Sequence, residues 1–180
     1  MREEIICAGF GGQGIMLLGK ILAQAALKEN KQLTWLPSYG AAVRGGAAFC
    51  MVVISDQEIA SPYIDKCDTL FVFNQPSWDK FKSRVKKGGL VLFNSSLIKD
   101  KQPPAGLKIR RLPFTDIASS LGDARVANMV ALGAFLQAKD VLERQTVSAA
   151  LSAIAPPGKR HLLEINQKAL DEGRKWLIKK

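Results

Sequence analysis

Four short stretches do most to restrict the fold. EIICAG (residues 4–9), AAFCMVVIS (47–55), TLFVFN (69–74) and GLVLFN (89–94) each hold an apolar run with no polar alternation and stop at glycine, serine or asparagine. A strand with one wet face alternates in polarity, so these strands are covered on both faces, as in a sheet layered by helices. Helices are legible between them: residues 14–29 place Ile15, Leu18, Leu22 and Ala25 on one stripe, and a second helical piece spans Ser77 to about Lys86. QLTWL (32–36) reads as a further strand, and Ser55-Asp56-Gln57 as a turn sending the third strand back toward EIASP.

After a turn-rich segment, Ser95–Gly106, LKIRRL reads as a short last strand and the pattern becomes helical. Thr115 or Asp116 can cap a helix to Leu121; Asp123 can start another through Asn128, Leu132 and Phe135. Val147, Leu151 and Ile154 mark a third helix that APPG stops, and a final one spans Leu162 to Leu177 with basic residues gathered at its end. With 180 residues, 47% of them hydrophobic, the expected architecture is one α/β domain over residues 1–180. Its three α/β/α layers surround a mainly parallel sheet that has room for an antiparallel edge.

Composition narrows the function classes. No apolar run reaches the roughly 18 residues of a membrane span, and MREEIICAGF lacks the features of a signal peptide, so a cytoplasmic protein without membrane attachment is expected. Cys7, Cys50 and Cys67 lie apart in apolar surroundings and read as small buried side chains of a reducing compartment. They cannot supply the four closely spaced ligands of an iron–sulfur cluster or structural zinc. His161, the one histidine, stands in the basic context GKRHLLE and reads as a solvated residue, so a histidine dyad is not expected. The net charge of +10 concentrates between Lys80 and Arg111, where ten basic residues face one acid, Asp100. Such a band is a solvated face or a docking face for an acidic protein. It lacks the aromatic platform, zinc finger or helix-turn-helix spacing of a nucleic-acid site, so no nucleic-acid partner is expected.

The motif with most chemical content is GFGGQG, residues 9–14, at the handover from first strand to first helix. Gly9, Gly11 and Gly14 satisfy G-x-G-x-x-G where a tight turn brings phosphate against backbone N–H groups at a helix N-terminus. A dinucleotide also needs an acid about 20 residues on to hold the ribose hydroxyls. No acid occurs between Glu29 and Asp56, which counts against NAD and leaves an NADP variant using Arg44. Gly14 to Lys20 mimics a P-loop, but Ile21 stands where serine or threonine is required. A second glycine-rich stretch, LPSYGAAVRGGAAFC, carries Ser38, Tyr39, Arg44, Gly45 and Gly46. Loops leaving the carboxyl ends of neighbouring parallel strands converge, so it can share one site with Gly11–Gly14. Arg44 offers a fork for phosphate or carboxylate; equally, the glycines can serve only the turns and Arg44 a neighbouring acid.

GFGGQGIMLLGKILAQAAL, PSYGAAVRGGAAFCMVVISDQEIASP and NMVALGAFL together resemble the gamma subunit of the 2-oxoacid:ferredoxin oxidoreductases. The likeness covers nearly the whole chain and is firmest over residues 5–70 and 128–136. It implies a subunit of a complex, inactive in isolation, in which a 2-oxoacid is decarboxylated, electrons pass to ferredoxin, and the acyl group goes to coenzyme A. Thiamine diphosphate and [4Fe–4S] clusters are implied in alpha and beta subunits and a ferredoxin-like delta subunit, with ferredoxin as outer partner. The resemblance also implies that Gly11, Gly12, Gln13 and Gly14 contact or position the phosphate-bearing part of coenzyme A, with Ser38, Tyr39, Arg44, Gly45 and Gly46 beside them. It implies no nucleophile, base or metal ligand here. Asn128 either hydrogen-bonds the glycine loop or caps its own helix. Among oxoacids, 2-oxoglutarate is preferred over pyruvate and branched-chain substrates. The alternative is a non-catalytic nucleotide-binding or assembly module, for which the basic band argues.

Overall fold

The computed structural model describes residues 1–38, 48–100, 104–155 and 160–178. Strand β1 (Arg2–Gly9) leads to helix α1 (Ile15–Lys28), followed by β2 (Gln32–Ser38), β3 (Ala48–Ser55) and β4 (Cys67–Val72). Helix α2 (Gln75–Phe81) continues through a 3-10 turn, Lys82–Arg84, to β5 (Val85–Asn94) and β6 (Lys108–Leu112). The rest is helical: α3 (Phe114–Ser120), a 3-10 turn at Ala124–Val126 running straight into α4 (Ala127–Ala138), α5 (Arg144–Ile154) and α6 (Arg160–Ile178).

All six strands form one sheet in the order β2-β3-β1-β4-β5-β6. β4, β5 and β6 follow β1 in parallel, whereas β3 runs against both of its neighbours, β1 and β2. The mainly parallel α/β sheet is thus as expected, with one refinement. The reversed strand is not the edge itself but the strand inside it, and β2 outside runs with the rest. Because β1 and β2 occupy both sides of β3, no edge is left for a returning strand at EIASP, and residues 56–66 are irregular. The start of that segment is tied down by the Met1 ammonium, 2.7 Å from the Asp56 carboxylate.

The sheet's two faces explain the unbroken apolar runs. Ile5, Cys7, Cys50, Val52, Phe71 and Leu92 point into the core beneath α1, α3, α4, α5 and α6. Ile6, Met51, Val53, Leu70, Val72 and Val91 point the other way, onto Trp78 and Phe81 of α2 and onto Ile64 and Ile98. Successive residues therefore serve different cores. The helical covering is thick on one face and thin on the other.

Helix α4 is the centre of the thick layer; every residue from Ala127 to Phe135 is buried. It packs on α6 more closely than side chains permit. A Cβ at Gly133 would strike the carbonyl of Leu170, and one at Gly173 the carbonyl of Val130. Alanine is the better helix former by about 1 kcal/mol, so propensity and packing predict opposite signs for Gly133→Ala. Packing wins, since the obstruction is backbone: the variant is expected to lose about 1–3 kcal/mol or more, read as a lower urea midpoint.

At the amino ends of the strands, Lys86 Nζ lies 2.8 Å from Glu4 and 2.9 Å from Asp68, while Arg2 bonds Glu4 at 2.8 Å. Partial burial pushes the Glu4 carboxyl up, but the hydrogen bonds and charges of Lys86 and Arg2 outweigh it and hold the group below its ordinary 4.5. A carboxyl lowered on folding contributes stability that is present above its unfolded pKa and lost as pH falls through the folded one. Urea midpoints are expected to decline as pH drops below 4.5, and Lys86→Met to remove part of that decline. The difference is at most about 1 kcal/mol, because the pair is only partly buried and water still screens it.

Candidate functional site

Strand order dictates where a ligand crevice can form. From β1 the chain moves outward to β2 on one side, and β4, β5 and β6 extend on the other. Order therefore reverses between β1 and β4, and the crevice lies above their carboxyl ends. The glycine loop, residues 9–14, occupies this point.

The loop is held from three directions. Gln13 N–H donates to the Phe10 carbonyl at 3.2 Å, closing the turn, and Phe10 N–H donates to Gln13 Oε1 at 2.7 Å. Asn74, just past β4, donates through Nδ2 to the same Oε1 at 3.0 Å, while its own Oδ1 accepts from Ser77 N–H at the start of α2. From the helical layer, buried Asn128 donates through Nδ2 to the Gly14 carbonyl at 3.1 Å. Asn128 thus lies inside α4, which begins one residue earlier, and is not its N-cap; its Nδ2 bridges to the glycine loop while its Oδ1 accepts from Met129 N–H at 2.9 Å in the first turn of its own helix.

The four glycines have different reasons to be glycine. A Cβ at Gly9 would come within 2.7 Å of Gln13 Oε1 and 2.8 Å of Ile15 Cδ1. Gly12 and Gly14 sit at φ +90° and +71°, conformations costly to other residues, and Gly14 also abuts the Asn128 amide. Gly11 has neither reason among the described residues, none of whose atoms lies within 4 Å of where its Cβ would stand. The packing of the described residues does not demand a glycine there, but close approach of a ligand to bare backbone would.

Over the loop is a cleft of about 330 Å³ lined by Phe10, Gly11, Gly12, Met16, Leu17 and Ala48, among others. No titratable side chain lines it among the described residues. What attracts anions is the start of α1, where Gly14 provides no side-chain cap and the first turn holds no acid. The N–H groups of Ile15, Met16 and Leu17 thus lack intrahelical acceptors and carry the positive end of the helix dipole. The described lining can bind and orient, and it offers no group that exchanges protons.

The second glycine-rich stretch meets this site by a different route from the one its sequence suggests. β1 and β2 are not neighbours, because β3 separates them by two strand spacings, about 10 Å. Ser38, half-buried at the end of β2, pairs with Phe49 and does not reach the loop along the sheet. The return limb does: Ala48 pairs directly with Gly9. Tyr39, Arg44, Gly45 and Gly46 lie outside the described residues. The same separation removes the geometry a dinucleotide needs, since a ribose-binding group at the end of β2 belongs one strand from the glycine turn.

Asn74 is the site residue that sequence reading missed. Its signal, asparagine before Gln-Pro, is that of an ordinary helix cap, and it does cap α2; the second bond to Gln13 exists only because β4 pairs with β1. The thiols take no part. All three cysteines are buried, Cys7 and Cys50 opposite one another in β1 and β3, and Cys50 donates to the Ile15 carbonyl at 3.5 Å. Burial pushes the Cys67 thiol up to about 12 and raises Cys7 as well, keeping them neutral.

Residues 4–176 match the family described as pyruvate ferredoxin/flavodoxin oxidoreductase. The chain is similar to the 2-oxoglutarate synthase subunit KorC of Methanocaldococcus jannaschii, with 41% identity over 161 residues, 88% of this chain and 86% of that one. It is also similar to the ketoisovalerate oxidoreductase subunit VorA of Methanothermobacter marburgensis, 38% identical over 96% of this chain but spanning only 36% of that much longer relative. Among solved structures, the gamma subunit of a keto/oxoacid ferredoxin oxidoreductase from Geobacter sulfurreducens superposes with a TM-score of 0.86 at 33% identity, covering 99% of both chains. The 2-oxoglutarate:ferredoxin oxidoreductase of Magnetococcus marinus, with 2-oxoglutarate, coenzyme A and succinyl-CoA bound, shares the fold at a TM-score of 0.88 and 24% identity, over 97% of this chain and 30% of that one. On these matches, which run from β1 into α6, the chain belongs to the pyruvate ferredoxin/flavodoxin oxidoreductase family, on the pattern of its gamma subunits.

Proposed function

We propose that the glycine loop receives the phosphate-bearing part of coenzyme A within a complex that oxidatively decarboxylates a 2-oxoacid. The observation carrying this reading is Gly11, a glycine that neither φ nor any neighbouring atom of the described residues requires, beside an uncapped helix N-terminus. It is supported by the bound coenzyme A of the Magnetococcus marinus enzyme, whose fold this chain shares. In the reaction, a 2-oxoacid, coenzyme A and oxidised ferredoxin give an acyl-CoA, carbon dioxide, a proton and ferredoxin reduced one electron at a time. Thiamine diphosphate and the [4Fe–4S] clusters, which supply carbanion and electron-transfer chemistry, belong to alpha, beta and ferredoxin-like delta subunits. This chain contributes binding: Gly11, Gly12 and Gly14 bare the backbone, and Gln13, pinned by Phe10 and Asn74, holds the loop's shape.

Tyr39, Arg44, Gly45 and Gly46 complete the site from the stretch returning to Ala48, with Ser38 at its outer end. Arg44 is the group that pairs with phosphate, as the described cleft lacks a cation. The preferred oxoacid is 2-oxoglutarate, on the strength of the even match to KorC; the VorA relative makes a branched-chain oxoacid the competing assignment. The chain works as one domain of a cytoplasmic complex; no described helix is long and apolar enough to cross a membrane.

Gly11→Ala tests the site directly. Its Cβ meets no atom of the described residues, so the melting temperature should stay put while the KM for coenzyme A in the assembled complex rises at least about tenfold, the equivalent of 1.4 kcal/mol. Arg44→Ala should do the same, and an unchanged KM in both variants would remove coenzyme A from this loop. Asn128→Ala should instead act through structure. Losing a buried hydrogen bond is expected to cost about 1–3 kcal/mol and to speed amide exchange at Gly12 to Gly14, measured by NMR on the isolated chain.

A further inference from the structure

The basic band divides, in the folded chain, into charges already engaged and charges left over. Lys82 bonds Asp79 at 3.3 Å, Lys86 holds Glu4 and Asp68, and Arg84 donates to the carbonyls of Asp65 and Ile64. Lys80 lies over the rings of Phe49 and Phe81, while Arg111 covers the Phe93 ring at 4.3 Å and donates to the Asp100 carbonyl at 2.8 Å. Lys108 and Arg110, exposed on β6, have no counter-ion among the described residues. Lys87 joins them, because Gly88 N–H donates to the Gly106 carbonyl at 2.7 Å and brings the start of β5 beside the start of β6.

β6 is the last strand of the sheet, and no described group pairs with its outer backbone edge. Beside it, a cleft of about 470 Å³ opens between the strand and the ends of α4 and α6, lined by Arg110, Arg111, Gln137, Ala138, Trp176 and Leu177, among others. An open strand edge is a template for another extended chain, with main-chain bonds giving affinity and side-chain pockets specificity. A second copy of this protein is a poor occupant, since pairing β6 with itself sets Lys108 and Arg110 against their own equivalents. The same charges favour an acidic strand. Nucleic acid is less suited, for a sheet edge offers polypeptide-spaced donors and acceptors, and the cleft presents one indole where a base-stacking platform needs a series.

We propose that β6 is the receiving edge for an extended, acidic segment of a partner protein. Its carboxylates meet Lys108, Arg110 and Lys87, its backbone extends the sheet, and one large apolar side chain enters the cleft beside Trp176 and Leu177. This surface lies at the far end of the sheet from β2 and does not depend on what the glycine loop binds.

The test uses the full chain and a synthetic peptide of about ten residues, an ordinary strand length, alternating Glu with Val around a central Phe. Controls are the same peptide with Lys for Glu, one interrupted by two prolines, and an oligothymidylate of similar charge. The acidic peptide is expected to bind, to slow amide exchange within Lys108–Leu112, and to lose at least about tenfold in affinity in Lys108→Glu/Arg110→Glu. Lys168→Glu on the exposed side of α6 should leave binding unchanged, and equal melting temperatures will show that both variants fold. The proposal fails if β6 amides are unaffected, if the Lys or proline peptide binds as well, or if the double reversal changes nothing. It fails too if oligothymidylate binds more tightly through the same residues, which would make the edge a nucleic-acid surface.

Discussion

The placement of β3 between β1 and β2 is the constraint on which the rest of this structure depends. Eight consecutive pairs, from Arg2 with Ser55 to Gly9 with Ala48, lock β3 antiparallel against β1, while β4 takes the opposite side of β1 in parallel. β1 is thereby fully interior, which its apolar sequence requires, and its carboxyl end becomes the point where strand order reverses. The same insertion moves β2 away from the glycine turn and returns the chain to it at Ala48. A loop resembling a dinucleotide fingerprint thus stands in a fold that lacks the neighbouring strand a dinucleotide uses.

A second dependence runs from the helical layer to that loop. α4 is buried over nine consecutive residues and held against α6 by two glycines that let backbones touch. This fixes Asn128 beneath Gly14, where its amide occupies the space a side chain on that glycine would need. Asn74 does the equivalent from the sheet, joining Gln13 to the start of α2. Loop shape is thus set by two buried asparagines on different layers, each spending its Nδ2 on the distant loop and its Oδ1 on a backbone N–H within three residues. Rigid support of this kind lets three glycines, flexible on their own, present a fixed backbone surface.

Polar chemistry is segregated along the strands. At the amino ends, Glu3, Glu4, Asp68, Lys86 and Lys139 form a paired network whose charges answer one another. At the carboxyl ends the described site is lined without a titratable group, and the field there comes from the helix terminus. The first arrangement stabilises the fold; the second leaves room for an anion, because a carboxylate at the α1 terminus would occupy the same donors.

Much of this was legible in the sequence. The apolar runs announced a sheet covered on both faces, the glycines announced a strand-to-helix turn, and NMVALG marked a helix with an asparagine at its start. These are local properties, set by side-chain period, φ preference and capping chemistry, which act between residues close in the chain. Strand order was not legible, nor was the direction of β3, because a doubly buried apolar run has the same pattern whether its neighbour is parallel or antiparallel. Asn74 read only as the last residue of an apolar strand, because its partner in the glycine loop is 61 residues away. The exposed edge of β6 was hidden for the same reason: sequence counts charges, but only folding decides which of them find partners. The sequence by itself determined the elements and the type of loop at the head of α1. The tertiary structure decided which strands are neighbours, and through that, what stands above Gly11.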